Sequence, residues 1–236
     1  DLDGGLGTLR GDQPGHKGAP DKLCILPAEH QSAWVVNGEL RFIHLYFDVE
    51  QFALGAVRLL DREPRETQLH ERTFIDEPLQ TARFRALSQL DWHEPAERLL
   101  CSSLACAILD HSLLSHSGRR QDLQVKGGLA AHQRKDLVDY IEQHLDQPLS
   151  IDALAQRVAL SPYHFARMFQ LSVGLAPHRY VLTRRLQRAA HLLQHSHLAL
   201  GEIALSCGFA SASHFSNRFR QAFGATPGLY RQALAH

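Results

Sequence analysis

Leu154-Ala155-Gln156-Arg157-Val158-Ala159-Leu160-Ser161-Pro162-Tyr163-His164-Phe165-Ala166-Arg167-Met168-Phe169 is the first of two unequal copies of one unit. The second, unequal copy reads Ile203-Ala204-Leu205-Ser206-Cys207-Gly208-Phe209-Ala210-Ser211-Ala212-Ser213-His214-Phe215-Ser216-Asn217-Arg218-Phe219. Ala155 to Leu160 align with Ala204 to Phe209 at an offset of 49. Phe165, Phe169, Gly174, Pro177 and Tyr180 align with Phe215, Phe219, Gly224, Pro227 and Tyr230 at an offset of 50, so the second copy carries one extra residue in its turn. A match held over both halves of a unit marks an internal repeat.

Each copy has the marks of two helices joined by a short turn. Ser150 is placed to cap a first helix whose apolar positions Ile151, Leu154, Ala155 and Val158 share a face. Ser161 caps the next helix, with Pro162 at its first position, where a missing N–H is harmless. Phe165, Met168 and Phe169 then point inward, leaving Tyr163, His164, Ala166, Arg167 and Gln170 outward. In the second copy Leu200 to Cys207 form the first helix and Gly208 ends it. Ser211 opens the second helix, Phe215 and Phe219 face inward, and Ala212, Ser213, His214, Asn217 and Arg218 form the outer set.

The stretch resembles the DNA-binding domain of the AraC/XylS transcriptional regulators. The matching residues are Leu154-Ala155, Ser161 to Phe169, Gly174-Leu175-Ala176-Pro177, Ile203-Ala204, Cys207-Gly208-Phe209, Ser213 to Ser216, Phe219, Phe223-Gly224, Thr226-Pro227 and Tyr230-Arg231. It covers roughly the last hundred residues. Asn217 departs from the pattern, standing where many members carry Arg, with Arg218 following it. The resemblance implies duplex DNA as partner, Arg167 at a base-contacting position, and activation through contact with RNA polymerase. Repression alone is the other sign open to it.

Composition bounds the remainder. At 236 residues and 44% apolar content the chain has room for two globular domains. Its formal charge of zero hides an asymmetry. From Gln133 onward there are 11 Lys/Arg against 6 Asp/Glu, and before it 14 against 19. After Ser150 nine arginines face only Asp152 and Glu202. A basic C-terminal part suits phosphate contact by that part alone. Cys24, Cys101, Cys106 and Cys207 form no CxxC pair and read as reduced, mostly buried thiols of a cytoplasmic protein. The sequence offers no run of about 18 apolar residues, so no membrane span is expected. With no signal peptide and no initiating Met, it reads as truncated or processed before Asp1.

The fold class expected is α+β. Residues 1–115 read as a partial cupin-like β domain with helices, for sensing or dimerisation. Residues 116–132 read as a linker, and 133–236 as an all-α domain with two helix-turn-helix units. Three strands are expected at Lys22–Leu26, Ser32–Val36 and Arg41–Phe47, the second closed by an Asn37-Gly38 turn. Leu26 to His30 and Phe42 to Phe47 resemble the later half of the family's cupin-like sensor domain. Helices follow at Phe52–Leu60, at Pro78–Leu90 with Leu79, Ala82, Ala86 and Leu90 inward and Phe84 and Leu87 at the margin, and at Pro95–Leu114. The last has a broad apolar surface, which suits either packing on its own domain or a dimer interface. A strand near Phe74-Ile75 lies between the first two. His16, His30 and His44 lack the spacing of converging metal ligands, so no metal or cofactor is expected.

Gln133 to Leu145 opens the last domain. Ala176-Pro177 begins a connecting helix to about Gln194, a rod of roughly 26 Å at about 1.5 Å per residue. Such a rod suits two recognition helices about one DNA turn, roughly 34 Å, apart. Arg167 suits guanine O6 and N7 together, Ala166 either a thymine methyl or a filling role, and Asn217 adenine. Arg184, Arg185 and Arg188 suit either phosphate anchoring or plain solvation. The function expected is a sequence-specific, effector-responsive transcriptional activator acting as a homodimer. The alternatives are a protein-binding helix-turn-helix module and a cupin-type enzyme.

Overall fold

The computed structural model describes residues 8–10, 18–28, 30–31, 34–36, 41–120 and 126–234. The chain forms two compact units. One holds Asp1–Asp91 and Cys101–Leu123, the other Trp92–Leu100 and Gln124–His236.

The first unit runs β1 (Thr8–Arg10), β2 (Lys22–Ile25), β3 (Trp34–Val36), α1 (Val49–Leu60), a 3-10 turn (Pro64–Glu66), β4 (Thr67–Leu69), β5 (Arg72–Asp76) and α2 (Pro78–Gln89). Then come α3 (Pro95–His116), of which the part from Cys101 on belongs to this unit, and β6 (Ser117–Arg119). Its strands pair antiparallel in twos: β1 with β3, β2 with β5, and β4 with β6. The described residues thus do not show the partial cupin-like β domain expected from the sequence. A jelly roll needs about eight strands in two sheets, and these are three separate ladders of strands three to five residues long. Residues Arg41–Phe47, expected as a strand, form none. The alternation that suggested it persists: Phe42, His44 and Tyr46 are exposed and Ile43, Leu45 and Phe47 half-buried. Their rings contact one another in series, at 4.6 and 5.7 Å between centroids, rather than packing under a neighbouring strand. The expected Asn37-Gly38 turn, Ser32-Ala33, Glu29 and His16 lie outside the described residues.

Helix α1 forms because Asp48 and Gln51 cap it reciprocally. The Asp48 carboxylate accepts from the Gln51 N–H at 2.7 Å, and the Gln51 side chain accepts from the Asp48 N–H at 3.2 Å. Helix α2 turns a different face inward from the expected one. Gln80 and Leu87 are buried, while Leu79, Ala82 and Ala86 are exposed. The polar Gln80 is tolerated there because its amide donates to the Ile108 carbonyl at 3.1 Å, and Arg83 donates to the Ala107 carbonyl at 3.1 Å. Glu97–His116 is, by length and a mean hydropathy of 1.3, apolar enough to cross a membrane, which revises the sequence reading. Of its apolar window 28% is buried, and α2 sends donors to its Ala107 and Ile108 carbonyls. Strand β6 falls within the stretch read as linker. It exists because its backbone pairs with β4, residues distant in sequence.

The second unit is helical from residue 131 on: α4 (Ala131–Gln143), α5 (Ile151–Arg157), α6 (Pro162–Val173), α7 (Pro177–His195), α8 (Leu200–Ser206), α9 (Ala212–Phe223) and α10 (Pro227–Leu234). Phe165, Phe169, Phe215, Phe219 and Tyr180 are wholly buried. Phe169 meets Tyr180 edge-on at 5.7 Å and Phe219 meets Tyr230 edge-on at 5.0 Å, the same pairing fifty residues apart. Removing any one of the four phenylalanines by substitution with Ala removes about 3–5 kcal/mol.

Candidate nucleic-acid interface

The candidate interface is built by two turns and two caps. After α5 the chain reverses through Ala159, and after α8 through Gly208; both are left-handed, at φ 53° and 73°. In each turn the sixth residue closes on the first: Leu160 N–H donates to the Ala155 carbonyl and Phe209 N–H to the Ala204 carbonyl. Ser161 then accepts from the His164 N–H at 3.4 Å and Ser211 from the His214 N–H at 3.1 Å, opening α6 and α9. Gly174 and Gly224, both left-handed, end them. Ser150 caps α5 in the same way, accepting from the Ala153 N–H at 3.1 Å.

With Phe165, Phe169, Phe215 and Phe219 fixed inward, the period of the helix sets the rest. On α6, Tyr163, His164, Arg167 and Gln170 are exposed, Tyr163 by 82%, while Ala166 is half-buried. On α9, Ala212, Ser213, His214, Asn217 and Arg218 are exposed. The two faces differ in how committed their groups are. Among the described residues the Arg167 guanidinium has no hydrogen-bond or ionic partner. Arg218 instead leans on its own helix, donating to His214 Nε2 and Gln221 Oε1, each at 3.4 Å. The His214 ring in turn lies edge-on to Phe209 at 5.8 Å.

The sequence reading missed how many arginines this unit uses internally. Arg184 forms a fork on Glu142, with Nε to Oε1 at 2.5 Å and Nη2 to Oε2 at 2.8 Å. Burial works against its charge, but the Glu142 hydrogen bond and charge outweigh that and hold its pKa above the ordinary arginine value. Arg185 donates to the carbonyls of Leu145 and Gln147 at 2.8 and 2.6 Å, satisfying the chain end that follows α4. Burial pulls its pKa below the ordinary value. Arg157 lies 3.8 Å above the Tyr140 ring, and Arg231 donates to the Leu198 carbonyl at 2.6 Å. Of the three α7 arginines considered for phosphate, Arg184 and Arg185 are thus structural, and Arg188 is exposed.

A cleft of about 120 Å³ lies among Leu149, Ile151, Val181, Phe209 and His214. That is below the roughly 300 Å³ at which pockets begin to enclose a small-molecule ligand. Cys207 is buried, and burial raises its thiol pKa. Cys106 is exposed, against the expectation of mostly buried thiols. Of the histidines weighed from sequence, His30 sits 3.2 Å from Glu71 and His44 bonds the Tyr46 hydroxyl at 3.1 Å.

Residues 154–233 match a helix-turn-helix domain family. The HTH-type transcriptional activator RhaS of Escherichia fergusonii is 43% identical over 96 residues, 41% of this chain and 34% of that protein. Among solved structures, an AraC-type transcriptional regulator from Chromobacterium violaceum is 35% identical. The match covers 44% of this chain and 94% of that one, with a TM-score of 0.42. The DNA-binding domain of AdpA, solved in complex with a target DNA, is 32% identical. It covers 43% of this chain and 91% of that one, with a TM-score of 0.42. This chain spans from 34% to 64% of the length of the curated RhaS relatives it matches. The chain thus carries at its C-terminus an AraC-type domain with two helix-turn-helix units.

Proposed function

We propose that the chain is a sequence-specific DNA-binding transcriptional regulator that reads two adjacent major-groove segments, one with α6 and one with α9. The observation that carries this reading is the exposed face of α6, where Tyr163, His164, Arg167 and Gln170 stand together and Arg167 has no internal partner among the described residues. A guanidinium with all its donors free suits the paired acceptors of guanine. On α9 the reading set is Ala212, Ser213, His214, Asn217 and Arg218. Helix α7, 19 residues long, spans about 28 Å, close to the roughly 34 Å of one DNA turn. Arg188 is assigned to a phosphate.

The first unit is assigned sensing and dimerisation. We assign the protein to the cytoplasm, as an activator that contacts RNA polymerase, responds to a small-molecule effector and acts as a homodimer rather than as an enzyme.

Selection from a pool of random duplexes tests this, with wild type and Arg167→Ala at two salt concentrations. The expected result is a site of two half-motifs about one turn apart. Arg167→Ala should relax one half and weaken binding about 5- to 150-fold, the roughly 1–3 kcal/mol of one bidentate base contact. Affinity should fall steeply with salt. Weak, uniform binding to every duplex, or a preference unaffected by Arg167→Ala, would overturn the reading in favour of a protein-binding module.

A further inference from the structure

We propose that Glu77, His111 and His116 form a binding site for a divalent transition metal of the zinc class. The three ligand atoms lie within 4.8 Å of one another. His111 Nε2 is 3.2 Å from Glu77 Oε2, and His116 Nε2 is 2.9 Å from Glu77 Oε1. Zinc binds imidazole nitrogen and carboxylate oxygen at about 2.0–2.2 Å, which sets neighbouring ligands a little over 3 Å apart in a tetrahedron. The two Glu–His separations, each to a different carboxylate oxygen, are close to that size, and rotation of the carboxylate and the rings would set one oxygen and both nitrogens around an ion.

The Glu77 carboxylate is also turned away from its ordinary task. Glu77 is the N-cap of α2, where an acidic side chain normally accepts from the helix's own first N–H groups. It makes no such bond and faces the two imidazoles. The scaffold beneath is rigid. One turn along α2, the wholly buried Gln80 amide donates to the Ile108 carbonyl at 3.1 Å, and Arg83 donates to the Ala107 carbonyl at 3.1 Å. These bonds fix the start of α2 against the part of α3 that carries the histidines, as a preorganised site requires.

The donor set decides the class of ion. Two imidazoles and one carboxylate suit zinc and its borderline neighbours, whereas magnesium and calcium prefer oxygen alone. Three protein ligands leave a coordination position for water. A bound ion would cross-link the N-terminus of α2 to the last two turns of α3, next to β6.

The test uses the metal-free full chain and zinc alone. One equivalent is expected to bind and to raise the melting temperature. Glu77→Gln, His111→Gln and His116→Gln should each lower affinity by at least about tenfold. The cysteines are a competing source of ligands, so cobalt(II) is titrated in parallel. The site predicts a visible cobalt spectrum without a thiolate charge-transfer band. Glutamine keeps a hydrogen bond to its neighbours, so the variants should melt like wild type without metal. If the more buried His116→Gln fails to fold, the more exposed His111→Gln carries the test. Absence of zinc binding by the wild type, a thiolate band, or affinity unchanged in the folded variants overturns the proposal.

Discussion

The two helix-turn-helix copies share a skeleton and differ at their hinges and outer faces. Both have a serine cap, two buried phenylalanines, a left-handed glycine at the end of the second helix and an edge-on tyrosine. At the hinge between helices, however, the first copy uses Ala159 and the second Gly208, both left-handed. On the outer face, the first copy leaves Arg167 uncommitted, and the second ties Arg218 to His214 and Gln221. The skeleton is what folding requires twice over; the differences mark where each copy meets its own surroundings.

The glycine of the second hinge answers to more than its backbone angle, and this gives the largest expected effect. A Cβ on Gly208 would lie 2.3 Å from the Leu145 carbonyl oxygen and 2.7 Å from Arg185 Nη2. That carbonyl is the one Arg185 holds. Gly208→Ala therefore combines left-handed strain of about 1–2 kcal/mol with overpacking of about 1–3 kcal/mol, a loss of roughly 2–5 kcal/mol in all. Urea denaturation measures it. A loss below about 1 kcal/mol would mean that the second hinge is not wedged against the end of α4.

The next effect falls on the first copy. Glu142 receives the Arg184 fork and the Tyr180 hydroxyl, at 3.4 Å for the latter, and Tyr180 packs on Phe169. The Arg184 side chain is 13% exposed and that of Glu142 31%. Glu142→Ala leaves a largely buried guanidinium without its anion, for a loss of about 2–3 kcal/mol, reduced from the fully buried case by residual solvent. Amide exchange should quicken first in α6 and less in α9. Equal quickening in both would show that the copies do not have separate supports.

Local signals made the skeleton readable in advance. Ser161 and Ser211 cap the residue three places on, and the phenylalanines recur at helical spacing, so caps and inner faces follow from neighbours in sequence. The outward position of nine of the ten candidate DNA-contact residues follows from the same period; Ala166 is half-buried. What sequence did not reveal depends on partners far along the chain. Arg184 and Arg185 look like solvated or phosphate-binding residues until Glu142 and Leu145, about forty positions earlier, are brought beside them. Gln80 looks outward-facing until Ile108 offers its carbonyl. The strand at Phe74-Ile75 was legible as a strand, but its pairing with β2 was not. For the same reason Glu77, His111 and His116 went unnoticed, since 34 and 39 positions separate the glutamate from its histidines.

The outer faces provide a test in binding rather than in stability. Arg167→Ala is expected to weaken DNA binding more than Arg218→Ala does. Arg218 must release two internal hydrogen bonds before it meets a base, so its net contribution is smaller. The expected losses are about 1–3 kcal/mol for Arg167 and up to about 1 kcal/mol for Arg218. Competition binding on the selected duplex measures both. The reverse order would mean that the His214–Arg218 contact orients the second reading head rather than holding it back.

The smallest effect returns to the first hinge and reverses its sign. Ala159 is exposed at φ 53°, with no need for a side chain on that account. Left-handed backbone costs an alanine about 1–2 kcal/mol, and glycine removes that strain while adding about 0.5–1 kcal/mol of unfolded-chain entropy. Ala159→Gly should therefore stabilise the protein by up to about 1 kcal/mol, raising the urea midpoint at constant slope. The turn hydrogen bond from Leu160 to the Ala155 carbonyl should be undisturbed, since glycine at the matching position already supports its counterpart from Phe209 to Ala204. Destabilisation by Ala159→Gly would mean that the alanine methyl restricts the unfolded chain more than it strains the folded one. The two hinges would then differ because entropy, not strain, decides at an open turn, while sterics decide at a wedged one.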